Sequence, residues 1–160
     1  MTSLQVIELF AGHDPSGKPI VEKIPVIENE DDTLQLVKSP GFVKGLASGD
    51  TIRFLKDSGQ FEIVKRSGNL AISVFCRGDI EELIDGLVPE LEKLGAELDT
   101  ETPRMLVFSI HVSCGFKNIE NILNDHVGDF SDSAWIYGNV YDPADGVTLL
   151  NWWQSILNPE

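Results

Sequence analysis

Apolar and polar positions alternate along the first half of the chain and then change period. Leu4 to Ala11 is apolar with two polar interruptions and runs into Gly12-His13-Asp14-Pro15-Ser16-Gly17, a stretch of turn residues. A strand and a loop are expected. Pro19 to Glu28 carries Ile20, Glu22, Ile24, Val26 and Glu28 at spacing two, while Pro25, which cannot donate to a ladder, restricts it to an edge strand or a bulge. The turn Asn29-Glu30-Asp31-Asp32 leads to a third strand, Leu34 to Val37. Its carboxylates read as a solvated hairpin tip, since a calcium loop needs a longer alternation of oxygen ligands and a later bidentate Glu. After the break at Ser39-Pro40-Gly41, Gly49-Asp50 opens a pair of strands, Thr51 to Lys56 and Gln60 to Arg66, joined by Asp57-Ser58-Gly59. Leu70 to Cys76 is mostly apolar, the pattern of a strand buried on both faces. Six short strands before Gly78 predict a small antiparallel barrel or a strongly curled sheet.

The period changes at Gly78. Ile80, Leu83, Ile84, Leu87, Val88, Leu91 and Leu94 form a continuous stripe at helical spacing, with Asp79 and Glu82 at the capping positions and Gly95 at the left-handed position past the end. Pro89 should kink this helix, or split it together with Gly86. Ala96 to Thr100 and Arg104 to Val112 read as strands, Phe116, Ile119, Leu123 and Val127 as a second amphipathic helix, Ala134 to Tyr141 as a last strand and Leu149 to Leu157 as a short terminal helix. From Asn69 onward the order is therefore the split β-α-β-β-α-β arrangement. The expected fold is α+β: a β-rich, barrel-like half over residues 1–67 joined to a ferredoxin-like half over residues 68–160 in one compact unit. The first and third strands of the second half should lie side by side and parallel, with both helices on one face.

Charge divides at Gly78, where the period changes. The formal net charge is −14. Met1 to Gly78 holds 9 Lys/Arg against 10 Asp/Glu, whereas Asp79 to Glu160 holds 3 against 16. Affinity for nucleic acid comes from Lys and Arg neutralising phosphates, so a half with only Lys93, Arg104 and Lys117 argues against that partner. An acidic surface of this density attracts a basic partner and speeds the encounter, or keeps the protein soluble. Glu81, Glu82, Asp85, Glu92, Glu120, Asp125 and Asp129 should form one solvent-facing surface on the two helices, because the apolar stripes turn to the sheet. No apolar run approaches the ~20 residues of a membrane span, and Met1-Thr2-Ser3-Leu4-Gln5 lacks the basic region of a signal peptide, so a cytoplasmic location without membrane contact is expected.

Three segments carry a resemblance: Ser39 to Asp50 (Ser-Pro-Gly-Phe-Val-Lys-Gly-Leu-Ala-Ser-Gly-Asp), Gly59 to Val64 (Gly-Gln-Phe-Glu-Ile-Val) and Lys65 to Asn69 (Lys-Arg-Ser-Gly-Asn). Over roughly Leu4 to Asn121 the chain resembles a bacterial family catalogued as domain of unknown function 4265. The resemblance implies a bacterial, cytoplasmic source and carries over no catalytic residue. Gly45, Gly49, Gly59 and Gly68 read as turn glycines and Asp50 as a turn-capping side chain.

Candidate chemistry is sparse. Parallel central strands would bring Cys76, His111 and Cys114 to one end of the sheet, where a helix start and Lys117 could lower a thiol pKa for nucleophilic work. The same cysteines also read as small buried hydrophobes. Arg77 and Lys117 sit at the two helix starts, where free N–H groups favour an anion, although Asp79 offers a carboxylate for the first. His13, His111 and His126 lack ligand spacing, so neither a metal nor a cofactor is expected. Trp152 and Trp153, side by side on a helix, would point about 100° apart, which leaves Trp152 as a candidate interface anchor. The leading functional expectation is a non-catalytic interaction or inhibitor module, immunity-like, that meets a basic protein through Glu81, Glu82, Asp85, Glu120, Asp125 and Trp152. The alternative is a small enzyme or ligand sensor with its site near Cys76 and Cys114.

Overall fold

Period-two alternation in the first half becomes an open antiparallel sheet. The structure is a computed structural model describing residues 3–55 and 57–158. Strands β1 (Ser3–His13), β2 (Pro19–Glu28), β3 (Leu34–Leu36), β4 (Thr51–Leu55) and β5 (Gln60–Lys65) lie in that spatial order, each antiparallel to the next. The expected strand end at Lys56 lies outside the described residues. Ile7, Leu9, Ile24, Val26 and Ile52 turn to one face and form its core with Leu34, Leu36, Val43 and Leu46.

This sheet is not the closed barrel that six strands suggested. It curls until the Phe10 N–H donates to the Gly59 carbonyl at 3.0 Å, yet β1 and β5 remain its two edges. The sixth strand leaves for another sheet, and no ladder joins β1 to β5 among the described residues. β2 also departs from expectation, being an interior strand. The Pro25 carbonyl accepts from Val37 N–H on the β3 side, where the ladder has already ended at Val26 and Leu36. Proline has no N–H to offer there, and the Val37 carbonyl accepts the Ser48 hydroxyl at 3.2 Å instead.

The second sheet comprises β6 (Asn69–Cys76), β7 (Glu97–Thr102), β8 (Met105–His111) and β9 (Ser133–Tyr137), in spatial order β7-β8-β6-β9 and antiparallel throughout. β6 and β8 are neighbours as expected but run in opposite directions, pairing Asn69 with His111 and Phe75 with Met105. The cause is topological. The crossover from β6 makes β7 run with β6, and the β7–β8 hairpin then reverses the chain.

Helices α1 (Ile80–Leu94) and α2 (Phe116–His126) cover one face of this sheet; α3 is the single turn Gln154–Leu157. Asp79 caps α1 by accepting from the N–H groups of Glu81 and Glu82, and Gly95 ends it at φ 115°. The helix continues through Pro89; Asp85 and Pro89 are both exposed, so the carbonyl left without its N–H partner faces water. Leu83, Leu87, Leu91, Ile119 and Leu123 pack on Leu70, Ile72, Val74, Leu106, Phe108 and Ile110.

The other face is covered by the β3–β4 connection. A Cβ on Gly41 would sit 2.9 Å from the Met105 Cε, so any larger residue there would have to displace the end of the Met105 side chain. Ser39 Oγ and Ser109 Oγ hydrogen-bond at 2.6 Å, Ser39 N–H donates to Asp99 at 2.8 Å, and Ser73 Oγ–H donates to the Gly41 carbonyl. Burial from both sides explains why Leu70 to Cys76 reads as an apolar run. The expected terminal helix shrinks to α3, with Trp152 and Trp153 in the turn before it, edge to face at 5.5 Å between ring centroids. The 100° argument therefore does not apply to them. Trp153 is buried and Trp152 half-buried against the same core.

Candidate functional site

The antiparallel pairing separates the cysteine and histidine candidates. Cys76 ends β6, where its N–H donates to the Arg104 carbonyl, whereas His111 ends β8 opposite Asn69, the first residue of β6. At about 3.4 Å per residue, the seven steps from Asn69 to Cys76 put roughly 24 Å between those two ends. The expectation that Cys76, His111 and Cys114 share one end of the sheet is thus corrected. Cys76 is buried, its Sγ turned to the Ser131 carbonyl. His111 Nδ1 accepts from the Ser113 N–H, and the thiol of Cys114 donates to the Leu94 carbonyl at 3.1 Å. Among the described residues no hydrogen bond joins a thiol to the His111 imidazole.

Arg77 and Lys117 are separated for the same reason, since the strands before α1 and α2 run in opposite directions. Arg77 is exposed and pairs with Asp132 at 3.3 Å; Lys117 is exposed at the first turn of α2. The α1 terminus is occupied by Asp79, so the two cations do not frame one anion site.

The acidic candidates divide into two groups. Glu81, Glu82, Asp85, Asp125 and Asp129 are exposed. Glu120 is half-buried and accepts from the Tyr137 hydroxyl at 2.8 Å, while Trp152 donates its indole N–H to the Asn139 carbonyl at 2.8 Å beneath the Arg66 guanidinium, 5.5 Å away. Between the start of α1 and the end of α2 lies a hollow of about 430 Å³ walled by Asp79, Glu82, Asp125, Asp129 and Asp132, with Phe130, 72% exposed, at its side. Gly86 makes the helix contact beside it possible. A Cβ there would meet the His126 ring at 2.9 Å, and that ring reaches Glu90 on α1. Among the described residues only Asp132, of those five carboxylates, has a basic partner.

A second concavity, about 470 Å³, runs beside β9. Trp135 and Tyr137 form one wall, Tyr141 and Pro143 another, and Lys44 reaches in from the β3–β4 connection. The wall is held by hydrogen bonds: Trp135 N–H donates to Asn124 and Tyr137 to Glu120. Burial, then the Glu120 carboxylate, push the Tyr137 phenol above its usual pKa, so it stays a donor. Burial lowers the Lys44 pKa, partly offset by Glu22. Sequence reasoning missed Lys44, Trp135, Tyr137, Tyr141 and Phe130 as site residues. Trp135 and Tyr137, two apart on a strand and therefore on one face, were the available signal. Nothing local marks Lys44, which long-range packing brings to β9.

Among the described residues no group of three His, Cys, Asp or Glu is arranged to hold a metal ion, and no helix is long and apolar enough to cross a membrane. A family model described as a domain of unknown function, DUF4265, matches residues 22–135, from β2 into β9. The fold is similar to that of a hypothetical protein from Neisseria gonorrhoeae solved by crystallography, with a TM-score of 0.66 and 15% identity over 86% of this chain and 94% of that one. No curated protein matches.

Proposed function

The chain belongs to the DUF4265 family, whose description assigns no activity, and from that premise we propose a non-catalytic binding module that meets a basic protein through its helical layer. The hollow between α1 and α2 is the observation that carries this reading. Among the described residues no cation pairs with these carboxylates apart from Arg77, so the potential of those not engaged in capping α1 is directed outward, where it steers and orients an oppositely charged partner. Phe130 supplies the apolar anchor that a purely solubilising surface has no need of. Glu81, Glu82, Asp85 and Asp125 extend the charge along both helices. An inhibitor or immunity-like role fits such a surface. In the same reading the second half is ferredoxin-like, residues 1–67 and 68–160 are two halves of one unit, and the protein acts in a bacterial cytoplasm.

The test compares the wild-type chain with an E82Q/D125N/D129N variant and with Phe130→Ala as immobilised baits at about 0.05 M and 0.5 M salt, which spans most of the change in Debye screening. The expected result is a basic protein retained by wild type at low salt and lost on either substitution. A retained set that ignores both salt and the substitutions would overturn the reading.

A further inference from the structure

We propose that the cleft beside β9 is a ligand site for a small, flat monocarboxylate, its carboxylate held by the Lys44 ammonium and its ring by Trp135, Tyr137 and Tyr141. This is independent of the acidic hollow, with which the cleft shares no lining residue.

Lys44 is an incompletely satisfied cation. It is half-buried, and among the described residues no carboxylate oxygen lies within 4.0 Å of its Nζ and no protein acceptor takes its N–H groups. Glu22, the acid that acts on it through space, is engaged elsewhere: its two oxygens accept the backbone N–H groups of Gly41, Phe42 and Val43 at 2.8, 3.0 and 2.9 Å. Partial burial weakens the hydration of this ammonium, and an incoming anion offsets that loss.

The ammonium also stands on a fixed platform. Glu22 holds the three residues before it, and Gly45 N–H after it donates to the Gly138 carbonyl at 2.7 Å, just past β9. The Gly45 carbonyl in turn accepts from Arg66 at 3.0 Å. The far wall is equally constrained: Asp142 N–H donates to Thr148, its carbonyl accepts from Gly146, and its Oδ1 accepts from Ala144 N–H. A site ordered before binding loses less entropy on capturing a ligand.

Charge and size select the ligand. Besides the Tyr137 and Tyr141 phenols, the titratable groups lining the cleft with Lys44 are Glu120, which accepts from Tyr137, and Asp142, which accepts from Ala144 N–H. These two carboxylates repel any anion, a phosphate dianion about twice as strongly as a monocarboxylate, so a single negative charge seated on the Lys44 ammonium is preferred. A volume of about 470 Å³ accommodates one ring system with a short acid arm.

Phenylacetate and its neutral analogue phenylacetamide are the probes, titrated calorimetrically and by tryptophan emission against wild type, Lys44→Gln and Tyr141→Ala, with melting curves showing that each variant is folded. Phenylacetate should saturate the wild type and bind at least about tenfold more tightly than the amide, Lys44→Gln should erase that ratio while leaving amide binding in place, and Tyr141→Ala should weaken both probes. A Lys44→Gln bait should capture the same basic protein as the wild-type bait does, which keeps this test separate from that of the acidic surface. Equal affinity for acid and amide, or no saturation by phenylacetate up to about 10 mM, would overturn the proposal.

Discussion

Replacing Glu22 tests how the β3–β4 connection is held to the sheets. Its carboxylate is the acceptor for three successive backbone N–H groups, those of Gly41, Phe42 and Val43. In Glu22→Ala the Gly41 and Val43 groups, in buried residues, lose their acceptor, while Phe42 lies at the surface and finds water. Hydrogen bonds to a charged acceptor contribute about 1.5–3 kcal/mol each; with the Phe42 bond replaced by water and the half-buried cradle partly hydrated, we expect a loss of about 3 kcal/mol. For 160 residues each kcal/mol accompanies about 3 °C in melting temperature, so the variant should melt about 9 °C lower. Glu22→Gln keeps one acceptor oxygen, enough for the Phe42 and Val43 pair, but sets an NH₂ against the Gly41 N–H and should lose about half as much. Thermal scans followed by circular dichroism give the numbers, and hydrogen exchange at residues 41–43 should accelerate in both variants. A drop of less than about 2 °C for Glu22→Ala would refute the idea that this carboxylate anchors the connection.

Gly68→Ala should destabilise by about 2 kcal/mol or more, because position 68 has φ +97° and a Cβ would lie 2.5 Å from the His111 ring; unchanged denaturant midpoints would contradict this. Burial raises the Asp50 carboxyl above 3.8, against donation from Ser67 and Ala47, so its contribution to stability is full below that value and is lost as pH rises through the folded-state pKa. Asp50→Asn removes that slope, and its melting temperature relative to wild type should therefore climb from about pH 3.5 to pH 6; a relative fall would mean that the hydrogen bonds outweigh burial. Like charges on α1 and α2 repel, so the wild-type melting temperature should rise between low salt and about 1 M, where the screening length is about 3 Å, and no change would show that the carboxylates are already compensated.

The elements themselves were legible in the sequence because each is written in local residues. The stripe Ile80 to Leu94, the Asp79 cap and the Gly95 stop specify α1 wherever it packs, and Leu70 to Cys76 announces its burial on both faces. The adjacency of β6 and β8 followed from their order along the chain. Their relative direction did not, since it depends on the crossover and hairpin acting together, and with it went the expected meeting of Cys76 with His111 and Cys114. Barrel closure was a similar case: alternation predicts strands, but the path of the chain after Gly68 decides whether the last one joins the first. The site residues were the least legible. Lys44 and Tyr137 are 93 positions apart, and only the close approach of Gly41 to Met105 and of Gly45 to Gly138 brings them to one cleft. The sequence by itself determined the local periods, the caps and the acidic character of the second half, because these depend on neighbours along the chain. Which carboxylates lack partners, and which lysine stands against an aromatic wall, were decided by long-range packing, which sets the distance between charges.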